Sequence, residues 1–312
     1  MLAICLVLAL VLSAVNLFLF SSILNRDLRH TPLMWYLYHM FPMCLLVGFI
    51  LQPFTYFGVI IKTSGICYFV MYTAEYAFFG MGIHLFIFNI EVYFTKVLPL
   101  PKWQSGSFYR FVIMTLAGWL VASLFVTHVV VDNNHAKMVG DGFCLLIPDR
   151  TARLMRVVLR ELLTACLCFL IMVINVGTVF LKRSRMSNRW RSGDLREIRS
   201  ETTADEMQWV RCIIFLNIVW MIRAICMAVG HLSVDNSLRS PGDVRMVVVM
   251  LKIHTLSFYF IPLAALFIAP VRKTIAVILA KLLHVVSLGH IKFGDDTESL
   301  AVSFGNVNAI EN

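Results

Sequence analysis

Seven apolar runs, each near or above the roughly 20 residues that cross a bilayer, constrain this chain more than any other feature. They cover about residues 2–24, 33–54, 66–98, 108–131, 152–181, 206–231 and 244–268. Inside lipid a backbone must satisfy its own N–H and C=O groups, so an isolated span is read as a helix. Composition agrees: 59% of the 312 residues are apolar and 14% are charged, about half the charge of an ordinary soluble domain. The expected fold class is an all-α membrane protein, a seven-transmembrane helix bundle. A shorter stretch, about 270–286, carries Arg272, Lys273 and Lys281 among aliphatic residues. That pattern suits an amphipathic helix lying on the membrane surface. Residues 287–312, with Asp295, Asp296 and Glu298, read as a flexible cytoplasmic tail.

Leu2 to Ala14 has the length of a signal-peptide core but no basic leading region, so it is read as a retained span. The net charge of +9 does not point to nucleic acid, because the basic residues concentrate in the short connections between runs. With the amino end outside, the inner connections and tail hold seventeen basic residues, eight of them from Lys182 to Arg211, against seven outside. Positive charge collects on the cytoplasmic side. The expected topology is therefore multi-pass in the plasma membrane, N-terminus outside and C-terminus cytoplasmic, with lipid as a partner.

Of eight cysteines, six lie within apolar runs and none has zinc-ligand spacing. Only His84 and His254 lie deep, and no HxxxH or HxxE pattern occurs. A membrane-embedded metal hydrolase needs several converging ligands, so neither a metal site nor an enzyme is expected.

The spacing of marker residues resembles that of rhodopsin-like G-protein-coupled receptors. Asn16 precedes Cys44 by 28 positions, the family's interval between its first-span asparagine and second-span aspartate. Leu45-Leu46-Val47-Gly48, with Pro53-Phe54 beyond, is similar to the family's stretch just after that aspartate. Asn89-Ile90-Glu91-Val92-Tyr93 occupies the place of the acidic-Arg-Tyr motif, with Pro99-Leu100 beyond it. Trp119 lies 27 residues after Val92, where the family keeps its fourth-span tryptophan, and Cys67 lies 25 before it. Trp220 resembles the sixth-span tryptophan, and Pro262 the proline of the seventh-span motif. The resemblance implies that Glu91, Val92 and Tyr93 face a transducer, a heterotrimeric G protein. It also implies a disulfide between Cys67 and Cys144 of the second outer loop. Closing that loop would contribute about 4 kcal/mol in the chain-entropy model.

The departures bear on activation. Val92 replaces the motif arginine, Cys44 the sodium-binding aspartate, Ile261 and Ala265 the seventh-span asparagine and tyrosine, and Ile222 a sixth-span proline. Lys252 sits a turn or more outward of the lysine that retinal-binding members use, so no cofactor is implied.

The residues expected to bind ligand are Glu75, Arg160, Trp220, Arg223, Lys252 and His254, all in the outer half of the spans. A guanidinium within a span costs roughly 3 kcal/mol unless it faces water or a partner. Trp220 is expected to form the cavity floor. Lys252 and His254 lie roughly 15 and 12 Å outward of Pro262 at the helical rise. The excess of positive charge favours a small-molecule or peptide ligand with an acidic group. The alternative is internal pairing of Glu75 or Glu161 with Arg223 or Lys252. Two functions are compatible with these residues: a ligand-triggered receptor, or a seven-span scaffold or ligand scavenger without G-protein coupling.

Overall fold

The structure, a computed structural model, describes residues 2–23, 32–47, 64–99, 107–131, 136–139, 143–146, 161–190, 198–233, 249 and 256–286. The helices are α1 (Leu2–Ile23), α2 (Pro32–Leu45), α3 (Ser64–Val92), α4 (Ser107–Val131), α5 (Thr164–Trp190) and α6 (Ile198–Ser233). They are followed by α7 (Leu256–Phe267) and α8 (Ala269–Val286). Four of them contain stretches long and apolar enough to cross a membrane: Tyr72–Val97, Ser107–Thr127, Glu161–Ser184 and Ala204–Val229. The bent pair α7–α8 makes up to five among the described residues.

The buried core is apolar, as in a protein folded in water, but large apolar side chains also cover the outside while several polar and charged ones lie within. Ile113, Leu116, Leu120 and Leu124 stand exposed on α4, while Asn89, Glu91, Glu161, Asn175, Asn217 and Arg223 are buried. Lipid as solvent demands that arrangement, because polar groups then gain more inside than out. Helix α3 is 72% buried over its apolar stretch and α4 only 17%. That contrast places α3 at the centre and α4 at the rim. Around α3 pack α2, α4, α5 and α6; α6 packs on α7, and α1 closes against α2, α7 and α8.

Two glycines set the α3–α4 seam. A Cβ on Gly80 would lie 2.6 Å from Trp119 Cζ3, and one on Gly118 would lie 3.1 Å from His84 Nε2. Small residues allow close approach of membrane helices, and the space is filled by the facing rings. Trp119 Nε1 donates to His39 Nε2 of α2 at 2.8 Å. Gly80→Ala is expected to destabilise the protein by about 1–3 kcal/mol through overpacking, read as a lower thermal midpoint in detergent. At Gly177 of α5 an added Cβ meets nothing within 4 Å. Gly177→Ala should gain up to about 1 kcal/mol of helix propensity. Equal midpoints for the two variants would show that the α3–α4 approach is not close.

The helix ends obey local chemistry. Helix α3 widens into a π turn over Tyr93–Val97, closed by Leu98 N–H donating to Tyr93 O. Pro99 disfavours helical geometry at Leu98, which stands at φ −127° and ψ 74°. Helix α7 narrows to a 3-10 turn over Ile261–Phe267, led by Pro262. Ile268 is extended, and α8 leaves α7 at 99°. Gln208 Oε1 accepts the Ala269 N–H at 2.9 Å, and Arg272 Nη1 donates to the carbonyls of Leu266 and Phe267, both at 2.9 Å. These bonds satisfy groups that helix ends leave open and hold the corner.

Several sequence boundaries are corrected. The expected inner loop from Lys182 to Glu206 is largely helical, since α5 runs on to Trp190 and α6 begins at Ile198. Reading apolar runs ends a helix at the first charges, but Lys, Arg and Glu are good helix formers once past the hydrocarbon. The chain is not wholly α: β1 (Ala136–Val139) and β2 (Phe143–Leu146) form an antiparallel hairpin between α4 and α5. The tail at 287–312 lies outside the described residues.

Candidate functional site: a polar seam inside the bundle

Along α5 and the turn that enters it, a polar or thiol side chain recurs every seven residues: Glu161, Cys168, Asn175 and Lys182. Seven residues are close to two helical turns, so all four share one face. Between them Ala165, Met172 and Val179 are also buried, completing an alternating four- and three-residue stripe. Each polar member meets α3 or α6. The corresponding face of α6 carries Asp205, Trp209, Ile213, Asn217, Trp220 and Arg223 at steps of three or four.

At one end of the seam, Arg223 is 1% exposed and Glu161 fully buried. Their contacts run from Arg223 Nη1 to Glu161 Oε2 at 3.1 Å and from Nη2 to Oε1 at 3.3 Å. The guanidinium also lies 4.0 Å from the Trp220 ring and 5.8 Å from that of Phe78. A buried guanidinium requires such compensation, because desolvation otherwise outweighs any attraction it gains. Trp220 is pressed against Gly82, where a Cβ would lie 2.9 Å from Cζ2. Its Nε1 is buried without a hydrogen-bond partner.

Of the six residues expected to bind ligand, Trp220 and Arg223 are in direct contact. Glu75, also buried, is one turn before Phe78 on α3. Arg160, Lys252 and His254 lie outside the described residues. Of the internal pairings open to Arg223, the one with Glu161 is found.

The middle of the seam is a cluster of three amides that sequence reasoning missed. Asn89 Nδ2 donates to Asn217 Oδ1 at 3.1 Å, and Asn217 Nδ2 returns a bond to Asn89 Oδ1 at 2.9 Å. Asn175 Nδ2 donates to Ile171 O at 2.9 Å and to Asn89 O at 3.3 Å. The signal was available: an asparagine inside an apolar run needs a partner within the bundle.

At the other end of the seam, Glu91 is held by Arg110 from the first turn of α4. Arg110 Nε donates to both carboxylate oxygens at 3.1 Å and Nη2 to Oε1 at 2.5 Å. Val92 is fully buried and Tyr93 half-buried, so the motif position that carries arginine in the resembling family points into the core. Lys96 reaches Asp205 of α6 at 2.5 Å, and Asp205 also accepts from Trp209 Nε1 at 3.2 Å. Lys182 of α5 lies 3.4 Å from Glu206. Four helices, α3, α4, α5 and α6, are thus joined at this end of the bundle.

Asn16 is buried on α1, and Pro262 opens the 3-10 turn of α7. The side chains of Cys67 and Cys144 lie outside the described part of the structure. Backbone placement brings their elements together: Cys144 pairs with Met138 in the hairpin, and both strands pack on α3, whose first turn carries Cys67. Among the described residues, no three His, Cys, Asp or Glu converge to hold a metal ion. Compared with models of known protein families and with curated proteins, the chain gives no match.

Proposed function

We propose that this chain is a divergent rhodopsin-like receptor of seven spans, N-terminus outside, that binds an extracellular ligand beside Trp220 and Arg223 and reports it at the cytoplasmic ends of α3, α5 and α6. One observation carries the proposal. A single face of α6 runs without interruption from the Arg223–Glu161 pair, through Trp220 and the asparagines, to the Lys96–Asp205 pair. A ligand that alters the outer pair therefore acts on the element that closes the inner end, and a ligand shifts an equilibrium only through such differential contact. With Glu161 already on Arg223, an acidic ligand group would bind by competing for that guanidinium. The marker spacings and the hairpin packed on α3 support the same architecture, including the Cys67–Cys144 disulfide.

Ligand-dependent nucleotide exchange on a purified G protein tests the proposal. A second prediction concerns the inner pairs. Lys96 and Asp205 are 26% and 49% exposed, and a surface ion pair contributes roughly 0–1 kcal/mol. Lys96→Ala should therefore raise ligand-independent exchange by up to about fivefold, with little change in stability. Unchanged basal exchange would show that this contact does not hold the inner face closed.

A second reading, a ligand scavenger without G-protein coupling, is favoured by the burial of Val92. Retained ligand binding with no exchange on any tested G-protein subtype would select it.

A further inference from the structure

The corner where α7 meets α8 gathers positive charge on its α6 side, whether or not the chain is a receptor. On α6, Gln208, Arg211 and Phe215 follow at steps of three and four, so they share one stripe. The flanking members fix where that stripe faces. Gln208 Oε1 accepts the Ala269 N–H at 2.9 Å, and the Phe215 and Phe267 ring centroids lie 5.4 Å apart. Arg211, between them, is exposed and stands close enough to the Arg272 guanidinium to repel it. We propose that Arg211 and Arg272 clamp the phosphomonoester of a lipid headgroup in the cleft between α6 and α8.

One arm of the clamp is already set. Arg272 Nη1 donates to the carbonyls of Leu266 and Phe267, which holds the guanidinium in place and leaves its Nε–Nη2 edge for a ligand. Such an edge matches two oxygens of one phosphate. Two guanidiniums also suit the nearly double negative charge of a phosphomonoester. Among the described residues, α7 and the helices packed on it other than α6, namely α1, α2 and α8, carry no carboxylate. The acids of α6 within two turns of Arg211, Asp205 and Glu206, are held by Lys96 of α3 and Lys182 of α5. The balancing anion is therefore external. Position favours a lipid over a soluble anion. The apolar part of α7 ends at Phe267, and an exposed apolar row of Ile218, Ile222, Ile225 and Val229 continues along α6 from Arg211. An acyl chain lies along that row while its phosphate meets the arginines, the arrangement by which basic pockets between membrane helices recognise phosphorylated headgroups.

Native mass spectrometry of the intact chain released from detergent tests this, with phosphatidylinositol 4-phosphate as the probe and phosphatidylserine as the comparison. The chain should retain one probe molecule at least tenfold more tightly than phosphatidylserine. Arg211→Gln should weaken that binding at least fivefold, whereas Lys281→Gln, nine residues beyond Arg272 on α8, should weaken it less than twofold. Arg272→Gln should match Arg211→Gln, but it also removes bonds that hold the corner. Arg211 makes none of those bonds, so Arg211→Gln is decisive if Arg272→Gln does not fold. Binding unmoved by Arg211→Gln, or weakened as much by Lys281→Gln, would overturn the clamp in favour of diffuse attraction to a basic helix. Displacement of the probe by millimolar inorganic phosphate would assign the cleft to a soluble anion and overturn the lipid.

Discussion

Glu161→Leu is expected to destabilise the protein by about 3–5 kcal/mol, the usual cost of removing one partner from a buried ion pair. The substitution withdraws from Arg223, which is 1% exposed, a carboxylate whose oxygens lie 3.1 and 3.3 Å from its guanidinium, beside the rings of Trp220 and Phe78. Folded domains are stable by only about 5–15 kcal/mol, so a loss of this size should cut the yield of monodisperse protein sharply after mild heating. Arg223→Leu should be comparably harmful, since it leaves a carboxylate in the same place. The double variant Glu161→Leu/Arg223→Leu should recover most of the loss, because exchanging a whole buried pair for packed apolar groups is often neutral. A double variant as unstable as Glu161→Leu would mean that the two side chains are not energetically coupled. If folded, the double variant also separates structure from function: it should have lost affinity for an acidic ligand while keeping its helix content.

Arg110→Met is the second large effect, at about 3 kcal/mol or more. Glu91 is 1% exposed and its carboxylate accepts three hydrogen bonds from the Arg110 guanidinium, while Arg110 itself is 15% exposed. A planar fork matches a carboxylate in a way that a single ammonium does not. Arg110→Lys should therefore restore only part of the stability, keeping the charge but not the two-point geometry. Thermal midpoints of the three proteins in one detergent should rank native, lysine, methionine. Equal midpoints for arginine and lysine would show that the charge alone suffices and the fork contributes nothing.

Much of the local structure was legible in the residues. The apolar runs predicted helices over the cores of α1 to α6, and the Arg272–Lys281 pattern after Pro270 predicted α8, because length and period act within a single segment. Helix extent between α5 and α6 was not legible, since the charges of Lys182 and Glu206 look the same in a loop and on a helix that runs on past its apolar stretch. The hairpin escaped notice for a related reason: four-residue strands are shorter than any periodicity test resolves.

The candidate site was legible as a set of residue types but not as a set of partners. Arg223 within an apolar run announced that it needed compensation, and both Glu75 and Glu161 were available. Only the approach of α6 to the start of α5 selected Glu161. Glu91 likewise required a cation, and its arginine came from α4, nineteen residues further along, rather than from the adjacent position filled by Val92. The seven-residue recurrence of Glu161, Cys168, Asn175 and Lys182 stands in the sequence itself, yet its meaning depends on the residues that face it. The amino-acid order by itself determined which segments are helical, which of their faces are apolar and which buried groups need partners, because those depend on short-range geometry and transfer energy. Tertiary structure alone decided who those partners are. A contact between residues 62 positions apart, as between Glu161 and Arg223, depends on how whole helices cross, and no local property of either residue encodes that.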